Sequence, residues 1–180
     1  MTIPTLRGLD HVALTVPDLE QAIALFQRHF GARHVFTTRS VPDPGFARER
    51  LDVPGDAWAR IAMLRLDERT NLELFEYTVG DQRVSWPRNS DVGGSHLAFY
   101  VDDIDAAVAH LAQDPDVTVL GGVTRIEDDP AFGGLALAYV RLPWGGYVEL
   151  VSSPDGLSYT STTADRLAPP PAPPADTWSA

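Results

Sequence analysis

One stretch of this sequence occurs twice, and this repeat constrains the fold more than any other feature. The first copy, Leu9–Phe26, reads LDHVALTVPDLEQAIALF, and the second, Gly93–Leu111, reads GGSHLAFYVDDIDAAVAHL. When the first copy is shifted by 85 positions, His11 falls on His96 and five further positions are identical. Self-similarity of this kind is typical of a chain built from two copies of one supersecondary unit.

Each copy predicts a short strand followed by a helix. Large apolar residues occupy every second position after His11 in the first copy and after His96 in the second, which is the period of a strand. Asp18 and Asp103 then precede a helical pattern and are predicted N-caps. Because successive side chains of a strand point to opposite faces, both histidines are predicted on the face that the helix does not cover.

The first predicted helix runs to about Phe30. Three further strands follow each predicted helix. The predicted strands are Leu9–Val16, Val35–Thr38, Ala59–Arg65 and Asn71–Tyr77 in the first module, and Ser95–Val101, Val117–Leu120, Leu135–Leu142 and Tyr147–Ser152 in the second. Loops rich in Gly, Pro and Asp are predicted at Ser40–Gly55, as a loop or lid, and at Gly121–Gly134. The fold class is therefore predicted to be α+β, with two βαβββ modules.

The domain boundaries follow from the same pattern. The first module is predicted at residues 1–79, a polar connector at 80–94, and the second module at 95–153. Residues 154–180 form a tail rich in Pro, Ala, Ser and Thr, in which residues 169–174 are predicted to be polyproline II or disordered. Trp178 is the predicted anchor if this tail docks on the body.

Composition excludes several classes of function. The net charge of −11 disfavours nucleic acid and anionic membranes as partners, since both select basic surfaces. The chain has no cysteine, and all 14 basic residues are arginine, so thiolate, disulfide and lysine chemistry are excluded. The N-terminus lacks the apolar core of a signal peptide, and no apolar run is long enough to span a bilayer, which predicts the cytoplasm.

The last strands of the two modules also match. Glu73 lies between two leucines in NLELF, and Glu149 lies between Val148 and Leu150 in YVELV. A carboxylate in mid-strand is costly to bury unless it is paired or bound to a metal. Together with the two strand histidines, the glutamates complete a predicted metal site, and its ligands are His11, Glu73, His96 and Glu149. Imidazole and carboxylate ligands suit Zn, Ni, Co, Mn or Fe(II).

Other titratable residues are interpreted as structural. Glu76 has the opposite parity from Glu73 and is predicted on a solvated face. The remaining histidines have no counterpart in the other module and are interpreted as surface or packing residues: His29, His34 and His110.

Two modules of this order with these four residues resemble the vicinal oxygen chelate superfamily. It includes glyoxalase I, methylmalonyl-CoA epimerase, extradiol dioxygenases and bleomycin- and fosfomycin-resistance proteins. The resemblance spans about residues 6–154 and implies an open barrel-like mixed sheet that holds one divalent metal ion. The segments NLELFEY, NSDVGGSHLAFYVDDIDAAVAHL and PWGGYVELVS also resemble its branch of cyclitol epimerases, which act on 2-epi-5-epi-valiolone.

The resemblance implies proton abstraction next to a chelated carbonyl and hydroxyl pair. Glu149 is the first choice for the base, and Glu73 would return the proton to the opposite face in an epimerisation. Tyr100, Tyr147 and Thr15 share the ligand face and are predicted to bind substrate hydroxyls. A homodimer is also expected.

Three other functions remain open at this stage. The first is a glyoxalase I-like or methylmalonyl-CoA epimerase-like isomerase, and the second is an Fe(II) extradiol dioxygenase, for which Glu73 would fill a position that is normally open. The third is a metal-free protein that sequesters an antibiotic. The presence of the full ligand set argues against this third function. Coenzyme A and glutathione need clustered cations, and Arg48 with Arg50 is the nearest approach to a cluster. A small polar ketone, neutral and polyhydroxylated, is therefore the predicted substrate.

Overall fold

The computed structural model describes residues 3–172. The chain divides into two compact units, Met1–Val84 and Ser85–Ala180, and each is described by itself. The division falls within the connector that the sequence predicts at residues 80–94.

The first unit is a four-stranded mixed sheet with two helices. Its elements are β1 (His11–Thr15), α1 (Leu19–Phe30), β2 (Arg33–Ser40), α2 (Pro44–Leu51), β3 (Trp58–Arg65) and β4 (Asn71–Thr78). The strand order is β1-β4-β3-β2, in which β1 runs parallel to β4 and the other pairs are antiparallel.

The second unit repeats this topology. Its elements are β5 (His96–Tyr100), α3 (Ile104–Leu111), β6 (Thr118–Ile126), β7 (Leu135–Arg141) and β8 (Tyr147–Ser152), followed by a 3-10 turn at Ser158–Ser161. The strand order is β5-β8-β7-β6, and β5 runs parallel to β8. The predicted α+β class and the repeat are confirmed as two separate four-stranded mixed sheets. Among residues 3–172, no helix combines the length and the apolar character needed to cross a membrane.

One face of each sheet is buried under a helix. In the first unit, Phe26 of α1 and both Leu72 and Leu74 of β4 are fully buried. In the second unit, Val148 and Leu150 of β8 are buried in the same way beneath α3. The strands therefore present their alternate residues on the uncovered face, as the sequence predicts.

Capping residues determine where the first helix begins and ends, and Asp18 is the N-cap that the sequence predicts. The Asp18 side chain accepts a hydrogen bond from the Gln21 backbone N–H at 2.9 Å. At the other end, Gly31 is left-handed with φ 64°, a conformation that costs little without a Cβ. Asp103 caps α3 through the Ala106 N–H at 3.0 Å, so the N-cap is part of the repeat.

The predicted solvated role of Glu76 is wrong. Its carboxylate accepts a hydrogen bond from the Leu19 backbone N–H at 2.7 Å and lies 3.6 Å from Arg60. The first N–H groups of a helix have no partner within the helix, and a carboxylate is favoured there. The alternation of β4 places Glu76 on the face that α1 covers, and there it is half-buried against the start of that helix.

Two predicted loops are partly regular structure. Residues 40–55 contain α2, because Asp43 accepts from the Gly45 and Phe46 N–H groups and Pro44 stands at the first helical position. Residues 121–126 belong to β6, where the pairing register shifts at two consecutive glycines of positive φ. A bulge with glycines lets the strand continue through a stretch that reads as a loop.

Part of the tail packs on the second unit. The Ser158 N–H donates to the Gly133 carbonyl at 2.9 Å, and the Tyr159 N–H donates to the Ala131 carbonyl at 3.1 Å. The Tyr159 hydroxyl in turn accepts from the Leu167 N–H at 2.9 Å. Trp178 lies outside the described residues.

We expect Asp18→Ala to lower the free energy of unfolding by about 1 kcal/mol, because the Gln21 N–H loses its acceptor. The measurement is denaturant unfolding of the variant and the wild type. Gln27→Ala is the matched control, since Gln27 is an exposed residue within the same helix and alanine favours helix. Equal midpoints for Asp18→Ala and the wild type would contradict the capping role.

Candidate functional site

A histidine and a glutamate meet on the uncovered face of the first sheet. The Nε2 atom of His11 lies 3.2 Å from Oε2 of Glu73. Parallel pairing of β1 with β4 places Ala13 opposite Glu73, so the small side chain leaves room for the carboxylate to reach the imidazole two residues earlier. The Glu73 side chain is 20% exposed and that of His11 is 40% exposed, so the pair is open to solvent on one side.

The second sheet reproduces this arrangement. The Nε2 atom of His96 lies 3.2 Å from Oε2 of Glu149, and Ala98 stands opposite Glu149 in the parallel pair of β5 and β8. The Glu149 side chain is 14% exposed and that of His96 is 37% exposed. The two units therefore present the same pair of potential ligands with the same spacing.

The donor set of each pair fits a divalent metal ion. Two donors that each lie about 2.1 Å from one ion are about 3.0 Å apart at a right angle and about 3.4 Å apart at a tetrahedral angle. The nitrogen–oxygen distance in both pairs, 3.2 Å, falls between these values. Within residues 3–172, no group of three or more His, Asp or Glu side chains that could hold a metal is found. The predicted site of four ligands stays a prediction.

Asp10 distinguishes the first pair from the second. Its Oδ1 lies 2.8 Å from Nδ1 of His11, on the side of the ring away from Glu73. This hydrogen bond is the largest cause of a raised pKa of His11, to which the charge of Glu73 adds. A proton held on Nδ1 leaves the lone pair of Nε2 on the side of Glu73, where a metal ion would bind. The residue that corresponds to Asp10 in the second copy is Ser95.

Tyr139 is a site residue that sequence reasoning missed. It lies on β7 in register with Glu149, and its ring packs edge-on against His96, with centroids 5.3 Å apart and planes at 83°. Burial raises the pKa of Tyr139, and the charge of Glu149 and a hydrogen bond to it add to the effect. The register of β7 against β8 would have pointed to it, but the turn at Pro143–Gly146 left that register open.

Tyr77 is a second phenol on a ligand face. It stacks on Phe75 with ring centroids 5.3 Å apart and an angle of 6° between the planes. Burial raises its pKa, and the charge of Glu73 raises it further. Two parallel aromatic rings therefore lie on the same face of the sheet as Glu73.

The three predicted substrate residues share the sheet faces of the pairs. Thr15 is exposed and lies in register with Phe75. Tyr147 is half-buried and lies in register with His96, and the half-buried Tyr100 lies in register with Val151. Their role in binding substrate stays a prediction.

Comparison with known proteins gives the family. Residues 10–130 match the model of the Glyoxalase/Bleomycin resistance protein/Dioxygenase superfamily. The chain belongs to this superfamily. The match includes three of the four predicted ligands and ends before Glu149.

Individual relatives agree with this assignment. A 2-epi-5-epi-valiolone epimerase from an Actinomyces species is 45% identical over 168 residues, which are 93% of this chain and 91% of that protein. A glyoxalase family protein from Bacillus cereus superposes with a TM-score of 0.62 at 20% identity, covering 84% of this chain and 98% of that one. A fosfomycin resistance protein from Listeria monocytogenes, solved with Mn(II) and sulfate, superposes with a TM-score of 0.52 at 16% identity, covering 82% and 93%.

These findings confirm the predicted superfamily and the predicted class of enzyme. The relatives with solved structures show the fold, and the Actinomyces relative, an epimerase, covers nearly the whole chain. The chain is an isomerase of the glyoxalase fold.

We expect Asp10→Ala to weaken Co(II) binding about tenfold, because a carboxylate that is hydrogen-bonded to a histidine ligand orients the imidazole and holds its tautomer. The measurement is titration of the metal-free protein with Co(II), followed by its absorption. Ser95→Ala is the matched control at the corresponding position of the repeat. Equal affinities for Asp10→Ala and Ser95→Ala would contradict the orienting role.

Proposed function

We propose that this chain is a metal-dependent epimerase of a C7 cyclitol, which converts 2-epi-5-epi-valiolone to its C2 epimer, 5-epi-valiolone. The observation that carries the proposal is the 45% identity, over 93% of the chain, to an enzyme named for that substrate. The two matching His–Glu pairs support it, since they supply the ligands and carboxylates that such a reaction needs.

His11, Glu73, His96 and Glu149 would hold the divalent ion. Their donor chemistry leaves Zn, Ni, Co, Mn and Fe(II) open. When bound, the ion would polarise the substrate carbonyl and stabilise the negative charge that develops beside it. The Mn(II) in the fosfomycin resistance protein of the same fold supports a divalent ion here.

The carboxylates of this chain carry the proton transfer in the proposal. Glu149 accepts the proton from the carbon that bears the hydroxyl, and Glu73 delivers a proton to the opposite face of that carbon. A base that stands within hydrogen-bond reach of the substrate performs this step best. Thr15, Tyr100 and Tyr147 orient the substrate by binding its hydroxyl groups.

The distribution of cations supports a neutral substrate. Arg48 and Arg50, the nearest approach to a cluster in the sequence, lie in the last turn of α2. The Arg48 guanidinium packs so closely over Gly55 that a Cβ there would lie 2.5 Å from Cζ. This packing places the Arg48 side chain against the loop that follows α2. The homodimer and the cytoplasmic location stay predictions from the sequence.

The substrate is tested with metal-loaded protein in deuterium oxide. We expect 2-epi-5-epi-valiolone to give 5-epi-valiolone and to take up deuterium at C2 without nicotinamide, and we expect a chelator to abolish both. Turnover of methylmalonyl-CoA or a hemithioacetal with no change in the cyclitol would overturn the substrate and favour the related isomerases. Oxygen uptake with a catechol by the iron-loaded protein would favour a dioxygenase.

We expect Glu149→Gln to keep the fold and to lower turnover by about 10²–10⁴-fold, the usual contribution of a general base. Amide and carboxylate have nearly the same shape, so the change removes the proton acceptor with little effect on packing. Turnover is measured at saturating metal. Glu127→Gln, an exposed residue outside the pair, is the control and should retain full activity. Full turnover by Glu149→Gln would assign the base to another residue.

A further inference from the structure

A single residue neighbours both members of the second His–Glu pair. Tyr139 lies opposite Glu149 across the antiparallel strands β7 and β8. Its ring also packs edge-on against His96 at a centroid distance of 5.3 Å. Glu149 therefore lies next to His96 and has a tyrosine as its antiparallel cross-strand neighbour.

The first unit has no such residue at the corresponding position. There, Met63 of β3 lies opposite Glu73. A thioether is a weak acceptor and has no proton to donate, whereas a phenol hydroxyl donates a hydrogen bond to a carboxylate. The repeat is therefore kept at the parallel neighbour of each glutamate, which is alanine, and broken at the antiparallel neighbour.

We propose that Tyr139 is a positioning residue whose hydroxyl orients the Glu149 carboxylate and whose ring supports the His96 imidazole, so that the two glutamates are unequal. The proposal rests on the proposed function, in which each glutamate serves one face of the substrate carbon. Glu149 has His96 and Tyr139 as neighbours, whereas Glu73 has His11 and Met63 at the corresponding positions.

The two parts of Tyr139 can be separated by substitution. Tyr139→Phe removes one oxygen atom and keeps the ring on His96, so it frees only the carboxylate. Tyr139→Leu removes the ring as well and loosens both members of the pair. Misplacement of a catalytic group by about 1 Å can cost about 10²-fold in rate, and loss of an outer partner of a metal ligand typically costs about 10–100-fold in affinity.

The test measures deuterium exchange at C2 separately for each epimer of the cyclitol. Each glutamate exchanges the C2 proton of the epimer in which that proton points towards it. This exchange proceeds even when delivery of a proton to the opposite face of C2 is slow. We expect Tyr139→Phe to slow exchange about tenfold in the epimer that Glu149→Gln slows most, with the other epimer within twofold of the wild type. Glu73→Gln should slow the opposite epimer. A merely structural change would slow both epimers alike.

Metal binding gives a second readout that does not depend on turnover. We expect Tyr139→Phe to bind Co(II) about tenfold more weakly than the wild type, because Glu149 loses an outer partner, and Tyr139→Leu to bind it about 100-fold more weakly, because His96 loses the ring as well. Tyr159→Phe is the control, because it removes a phenol hydroxyl that accepts only a backbone N–H in the tail. It should change neither readout.

The outcomes separate the two proposals. Equal slowing of both epimers by Tyr139→Phe, or no slowing of either, overturns the positioning role of the hydroxyl. If the wild type exchanges neither epimer, the proposed substrate fails. The Co(II) titration then decides the role of the ring, and equal affinities for Tyr139→Leu and Tyr139→Phe overturn it. Thermal unfolding of each variant confirms that the readouts compare folded proteins.

Discussion

Parallel pairing of the first and last strands of each unit is the constraint on which the site depends. In a parallel pair, a residue and its neighbour on the next strand point to the same face. The register sets an alanine opposite each glutamate, with the histidine two residues earlier on the same face. The imidazole and the carboxylate therefore meet at 3.2 Å in both units. A shift of one residue would turn one member of each pair towards the helix.

The buried face keeps this register in place. The residues on either side of each glutamate are fully or almost fully buried: Leu72, Leu74, Val148 and Leu150. A slip would expose these aliphatic side chains and bury a carboxylate, and both changes are unfavourable. The helix that covers each sheet is in turn anchored by its aspartate cap, and in the first unit also by Glu76. The packing of the core thus determines the geometry of the polar face.

Within the common frame, the two units differ in the residues around the pairs. Asp10 supports His11 on the ring nitrogen away from Glu73, and the second copy has a serine there. Tyr139 lies against His96 and Glu149, and the first copy has a methionine there. A duplicated fold can keep two equal ligand pairs and still make the two glutamates chemically distinct through their neighbours. Such a difference would suit the proposed epimerisation, in which each glutamate serves one face of the substrate carbon.

The sequence by itself determined the strand parity and the caps, because each of these is a local pattern of two to four residues. It also determined the repeat, because the two copies share six identical residues at a constant shift of 85 positions. Parity alone placed Glu73 and Glu149 on the histidine face, and the matching motifs indicated the superfamily. Local patterns misjudged residues 40–55 and 121–126, where a capped short helix and a glycine bulge read as loops. Only the tertiary structure decided the neighbours of Glu76 and Tyr139. Their partners, Leu19 and Glu149, come from other elements of the chain, and the pairing of those elements depends on packing over the whole sheet.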